Sequence, residues 1–201
     1  MDGPTTAPFA PDDLDATLTR AWALFAQGVA TRRGPFHTPT FANIADDGTP
    51  EARTVVLRAV TPDTWSLRFH TDRRPQKFAS LAARPRVTLH AYDPAAKAQV
   101  RLRGTAALHT TGAIADAAWA SSRPISRVCY AQATAPGSPL AAPRLPVVQT
   151  GTEEDFGRQN FSAVVITIDQ LEWLYLLVHG HRRALFTRDA AGSVTKQWLA
   201  P

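Results

Sequence analysis

The chain has 201 residues, a formal charge of +5 and one cysteine, Cys129, which excludes an internal disulfide framework and any paired-cysteine redox or zinc motif. Apolar residues make up 44% and charged residues 19%, a balance that suits a chain with its own core rather than a disordered tail or a coiled coil. No apolar run approaches the roughly 18 residues of a membrane span, and no basic start with an apolar stretch opens the chain, so a soluble, cytoplasmic protein with no membrane partner is expected.

Residues 1–10 read as a loose leader and residues 11–201 as a single domain. Pro11, Asp12 and Asp13 open a helix with Leu14, Leu18, Trp22 and Phe25 at three- and four-residue spacing. It ends near Ala30, where Arg32, Arg33, Gly34 and Pro35 stop it. The period then changes to two. PTFANIA (39–45) reads as a strand, Asp46-Asp47-Gly48 as a hairpin turn, and ARTVVLRAV (52–60) as one returning strand. Thr61-Pro62-Asp63 makes a turn before a third strand from Trp65 to Thr71. Pro75 suits the first position of a short helix, PQKFASLAA. RVTLHAY and AQVRLRGTA follow as two strands joined through Asp93-Pro94. Residues 112–123 are Ala-rich and helical in pattern, whereas 133–160 form a long Pro-rich loop. SAVVITI, LEWLYLLV, RRALFTR and SVTKQWL close the chain as strands. Many short strands at regular spacing predict an antiparallel barrel or sandwich with flanking helices, an α+β chain that is mostly β.

Catalytic templates are scarce. The sequence has no GxGxxG, GxxxxGKS, HExxH or GxSxG, which argues against a Rossmann dinucleotide site, a P-loop, a zinc protease and a serine hydrolase. His179 and His181 would share a strand face, but no nearby cysteine or carboxylate joins them, so no metal site is predicted. Nineteen of the 22 cations are arginine, the side chain that best forks onto phosphate and carboxylate. Arginine richness also permits a nucleic-acid partner, yet no recognition motif accompanies it and none is expected. Arg53 and Arg58 bracket RTVVLR and fall on opposite faces of a regular strand. Lys77 sits in the first turn of the helix after Pro75, where free amides and the helix dipole favour an anion. Gln99, Arg101 and Arg103 share one strand face. Trp173 precedes the donor cluster His179 to Arg183.

In order and spacing these segments resemble the pyridoxamine 5'-phosphate oxidase superfamily of FMN-binding split β-barrels. RTVVLR resembles its first flavin-binding strand, FHTDRRPQKFASL its strand-to-helix element, ARPRVTLHAYDPAAKAQVRLRGTA the next hairpin, and LEWLYLLVHGHRRALF with QWLAP its carboxyl-terminal portion. The resemblance implies an antiparallel split β-barrel, a homodimer with FMN at the subunit interface, and flavin-mediated electron transfer with a small-molecule substrate. It implies flavin contacts from Arg53, Thr54, Val55, Val56, Leu57 and Arg58, from His70 and Thr71, and from Gln76 and Lys77, with Arg53 and Lys77 on the phosphate. Gln99 would contact the ring system, and Trp173 and Arg183 would complete the site from the second chain. Arg183 beside the ring and His181 at the substrate are the implied catalytic residues. Arg58, Trp119, Arg123, His179 and His181 occupy the substrate positions. Departures fall on that substrate set: Arg58 replaces a lysine, Trp119 stands near an expected tyrosine, Arg127 near an expected serine, and His179 replaces an arginine, while Gln76 replaces an arginine on the flavin side. Pyridoxamine or pyridoxine phosphate oxidation is one reading of the activity, and flavin binding without turnover is another.

Overall fold

The structure, a computed structural model, describes residues 12–143, 157–178 and 180–201. The expected leader and most of the Pro-rich loop lie outside the described residues. Helix α1 (Leu14–Thr31) begins where Asp13 accepts a hydrogen bond from the Ala16 amide at 2.9 Å, a cap worth about 1 kcal/mol. It buries Ala21, Trp22, Phe25 and Gly28 on one face and ends at Arg32 in the left-handed conformation. Gly28 is required by closeness: a Cβ there would lie 2.7 Å from the backbone of Phe36 and His37. No helix among the described residues is long and apolar enough to cross a membrane.

Strands β1 (Thr40–Ile44) and β2 (Pro50–Thr54) form the predicted hairpin, with Gly48 at positive φ in the turn. The returning strand is not continuous, which corrects the reading of 52–60. It breaks at Val55-Val56, and β3 (Leu57–Thr61) belongs to a different part of the sheet. The break has a hydrogen-bonding cause: the amides of Val55 and Leu57 donate to the carbonyls of Pro39 and His37, at 3.1 and 2.9 Å. Strand β4 (Ser66–Asp72) pairs with β3, and helix α2 (Gln76–Ala83) follows with Pro75 as its N-cap rather than its first residue. Strands β5 (Arg86–Asp93) and β6 (Ala98–His109) come next, then helices α3 (Gly112–Ala120) and α4 (Pro124–Arg127). The two predicted strands 162–168 and 171–178 are one strand, β7 (Phe161–Tyr175), followed by β8 (Arg182–Arg188) and β9 (Val194–Leu199).

Among the described residues the nine strands form one antiparallel sheet of order β2-β1-β5-β6-β7-β4-β3, with β8 paired to the Gln170–Tyr175 half of β7 and β9 to β8. The first and last strands of that path, β2 and β3, are joined by two residues, so the sheet curls until its ends meet. Inside the curl lie Phe41, Leu57, Phe69, Leu102, Ile166 and Trp173, each essentially inaccessible and each contributing roughly 1.5–3 kcal/mol of burial. A second, smaller core holds Ala118, Trp119, Phe161 and Ala163. There Trp119 and Tyr130 set their ring edges against Phe161, which docks α3 and the segment after α4 onto the start of β7.

Candidate functional site

The break at Val55-Val56 sends Arg53 and Arg58 to two different cavities. The first, about 530 Å³, lies at the corner of β2 and α2 and is lined by Glu51, Arg53, Arg74 to Lys77 and Ala135 to Ser138. Arg53 donates to Glu51 through Nη2, while its Nη1 is buried without a hydrogen-bond partner. Lys77 loses water to burial and sits beside Arg53, which together hold its ammonium below the usual lysine range, with Asp72 and Glu51 pulling it back. Pro75 leaves the α2 start without a side-chain cap. Arg74 closes the corner: it clasps Asp72 at 2.6 Å and donates Nη1 to the Gln132 carbonyl at 2.7 Å. Gln76 turns its amide to the Asp46 carboxylate. An orphaned guanidinium donor, a desolvated ammonium and an uncapped helix start fit the phosphate end of a ligand.

The second cavity, about 250 Å³, is enclosed by Arg32 and His37 with Leu57 and Arg58, by Arg68 and His70, and by Ser121, Ser122, Arg123 and Ser126. His70 is a neutral imidazole, its pKa pushed down to about 3 by burial first and then by Arg68 and Arg58. Its Nδ1 lies 3.4 Å from the Ser122 hydroxyl and its ring edge meets Phe161. His37 is lowered as well, by burial, then Arg58, then Arg32. No carboxylate lines this cavity.

Neither cavity reaches the remaining expected residues. Gln99 and Arg183 share an outer sheet face across β6, β7 and β8 with Arg101 and Glu172. There Glu172 accepts from Arg183 at 2.9 Å and also from Arg101. Trp173 points the other way, into the core beside Tyr175, so its expected role on the surface of a flavin finds no exposed ring in this chain. His181 uses Nδ1 to accept the Leu177 amide at 3.2 Å, and His179 lies outside the described residues. Of the RTVVLR run, Val55 and Leu57 are core, whereas Thr54 and Val56 are exposed. Thr71 is buried, its hydroxyl on the Asp72 carbonyl. Trp119 was expected at the substrate but belongs to the small core and does not line the cavity, where three serines stand instead.

The structure thus brings together Arg53, Gln76 and Lys77 at one corner, and Arg58, His70 and Arg123 at another. Sequence reasoning missed Arg32, His37, Arg68 and Arg74. Arg68 shares strand parity with His70, but that parity alone does not tell a cavity wall from a solvent face.

A family model described as "Pyridoxamine 5'-phosphate oxidase, FMN-binding domain" matches residues 19–110. The pyridoxine/pyridoxamine 5'-phosphate oxidase of Burkholderia lata is 27% identical over 173 residues, covering 83% of this chain and 79% of the relative. That of Sphingopyxis alaskensis is 29% identical over 218 residues, covering 98% and 90%. A pyridoxamine 5'-phosphate oxidase-related, FMN binding protein from Nostoc punctiforme superposes with a TM-score of 0.73 at 20% identity, covering 98% of this chain and all of that one. PhzG from Burkholderia lata, in complex with tetrahydrophenazine-1-carboxylic acid, gives 0.70 at 17% identity, with 98% of each chain covered. Both structures share the fold, a mostly antiparallel β-sheet with flanking helices. Sequence matches that run across most of both chains, and a family model that spans the Arg53–Lys77 corner, agree: the chain is similar, as a distant homologue, to the pyridoxamine 5'-phosphate oxidase FMN-binding family.

Proposed function

We propose that the protein is an FMN-dependent oxidoreductase acting on a small molecule. The observation that carries this reading is the pairing of two cationic cavities on either side of one six-residue segment, 53–58. One has the donors for a cofactor phosphate and the other is a half-closed space for a substrate. Bound FMN would supply the redox chemistry by taking up or giving back two electrons. The chain's own residues do the rest. Arg53 and Lys77 hold the phosphate, assisted by the α2 amides. The Val55-Val56 break would leave this backbone available to a bound flavin, while Val55 and Leu57 anchor in the core. Neutral His70 accepts or donates a hydrogen bond beside Arg58 without adding charge, and Leu57 with α1 keeps water out of the far wall.

Gln99 and Arg183 face away from both cavities on this chain, which supports a homodimer in which each chain completes the other's flavin site. His181 and Arg183 would then act on the substrate and ring from across that interface. Purified protein should show the oxidised-flavin band near about 450 nm after FMN addition and should bind FMN in preference to FAD. An absorption titration without saturable FMN binding would end this reading. Pyridoxamine 5'-phosphate is the first substrate to assay, because Arg58 and Arg123 both line the substrate cavity.

A further inference from the structure

The second cavity holds more positive charge than one anionic group balances. Four guanidiniums line it, from Arg32, Arg58, Arg68 and Arg123, and none of them has a carboxylate partner among the described residues. Several arginines elsewhere are paired with carboxylates: Arg53 with Glu51, Arg74 with Asp72, Arg86 with Asp169, Arg101 and Arg183 with Glu172. Buried polar atoms without partners gather here too. His37 Nδ1, Arg68 Nε and His70 Nε2 all lie inaccessible and unbonded, and His37 as a whole is only 8% exposed. A buried donor left unmade is costly, and a charged one most of all, so such a wall is built for something that arrives later. Ser121, Ser122 and Ser126 line it without adding negative charge, the first two donating their hydroxyls to the Ala118 carbonyl at 3.0 and 2.8 Å.

The cations come from four separate elements. Arg58 is on β3 and Arg123 is the N-cap of α4, while Arg32 is the C-cap of α1 and Arg68 is on β4. A phosphate monoester or a carboxylate on Arg58 and Arg123 leaves the guanidiniums of Arg32 and Arg68 unbalanced in a half-closed space. We propose that the cavity binds a small substrate carrying two anionic groups, the second of them held by Arg32 and Arg68. This rests on the reading of the cavity as the substrate site with Arg58 and Arg123 at its first anionic group.

Benzoate and isophthalate differ by one carboxylate and serve as probes. Calorimetric titration of the full chain, with and without FMN, should show isophthalate binding at least about tenfold more tightly than benzoate. Arg68→Met should remove that preference while changing benzoate affinity less than about twofold. Arg32→Gly provides a second variant that leaves the sheet untouched, because glycine accepts the left-handed conformation at that position, and it should have the same effect. Equal affinities for the two probes, equal losses for both in either variant, or no binding of either probe would overturn the proposal. The flavin reading is scored separately by FMN titration of the same samples. Probe preference without FMN binding would leave the dianion cavity standing and remove the oxidoreductase.

Discussion

Lys77 is a cation kept partly against its preference. Burial and the neighbouring Arg53 both favour losing its proton, and an arriving phosphate reverses that balance. Its replacement by alanine should weaken FMN binding by about 1.5–3 kcal/mol, roughly 10- to 150-fold, with the fold intact by circular dichroism. The pH dependence has a definite sign. The free protein releases the Lys77 proton earlier than the phosphate-bound form, so FMN affinity should fall as pH rises through the lowered lysine pKa. Fluorescence-quenching titrations at a series of alkaline pH values should show that fall in the wild type and a flatter profile in Lys77→Ala. This residue was legible because its signal is local: a proline, a helix start and a cation in the first turn. Arg68 was not, since an arginine alternating with Leu67 and Phe69 reads as the solvent side of a strand. Only the tertiary approach of the α1 end and of the turn between α3 and α4 makes that side the wall of a cavity. Trp173 shows the complementary difficulty, because a motif match cannot tell which face of β7 an indole occupies, and here it faces the core of its own chain.

At the scale of elements, strand positions followed from alternation, while strand continuity did not. RTVVLR has high β propensity throughout, and nothing in its own composition announces a break. The interruption is imposed by carbonyls at Pro39 and His37, sixteen and twenty residues before Val55 and Leu57 respectively. The opposite error occurred at Asp169-Gln170, a polar pair that reads as a turn. The register between β6 and β7 shifts between Arg103 and Gly104, so Asp169 is accommodated as a bulge and β7 runs on. Gly104 makes this possible: a Cβ there would overlap the Thr167 carbonyl oxygen across the strand pair. Gly104→Ala should therefore cost about 1–3 kcal/mol in urea unfolding, as overpacked sites do. An unchanged midpoint would show that the two strands separate there without penalty.

For the whole molecule, the expected flavin residues divide into two groups that one chain does not unite. Arg53, Gln76 and Lys77 lie at one corner, and Gln99 and Arg183 lie on an outward sheet face. A two-fold pair of chains would join the first group of one to the second group of its mate. Lys77→Ala and Arg183→Ala should each lose flavin as separate preparations. Randomly mixed chains should regain about a quarter of the wild-type sites, because half the dimers are mixed and each mixed dimer rebuilds one of its two sites. Flavin content measured on the co-expressed pair would decide this, and no recovery would mean that both groups serve one chain. The family resemblance implied a two-chain site through Trp173 and Arg183, without any view of which way either side chain faced.

Arg74 links time as well as space. Its guanidinium fastens the Gln132 carbonyl to the same corner that offers Lys77, and Ala135 to Ser138 wall the cavity just downstream. A phosphate seated there leaves only when that wall gives way or the ligand slips past it. On the proposed flavin reading, the Arg74–Gln132 contact would slow release of the cofactor, while the charges of Arg53 and Lys77 would speed its encounter. Encounter and residence would thus be altered separately, through different residues of one corner.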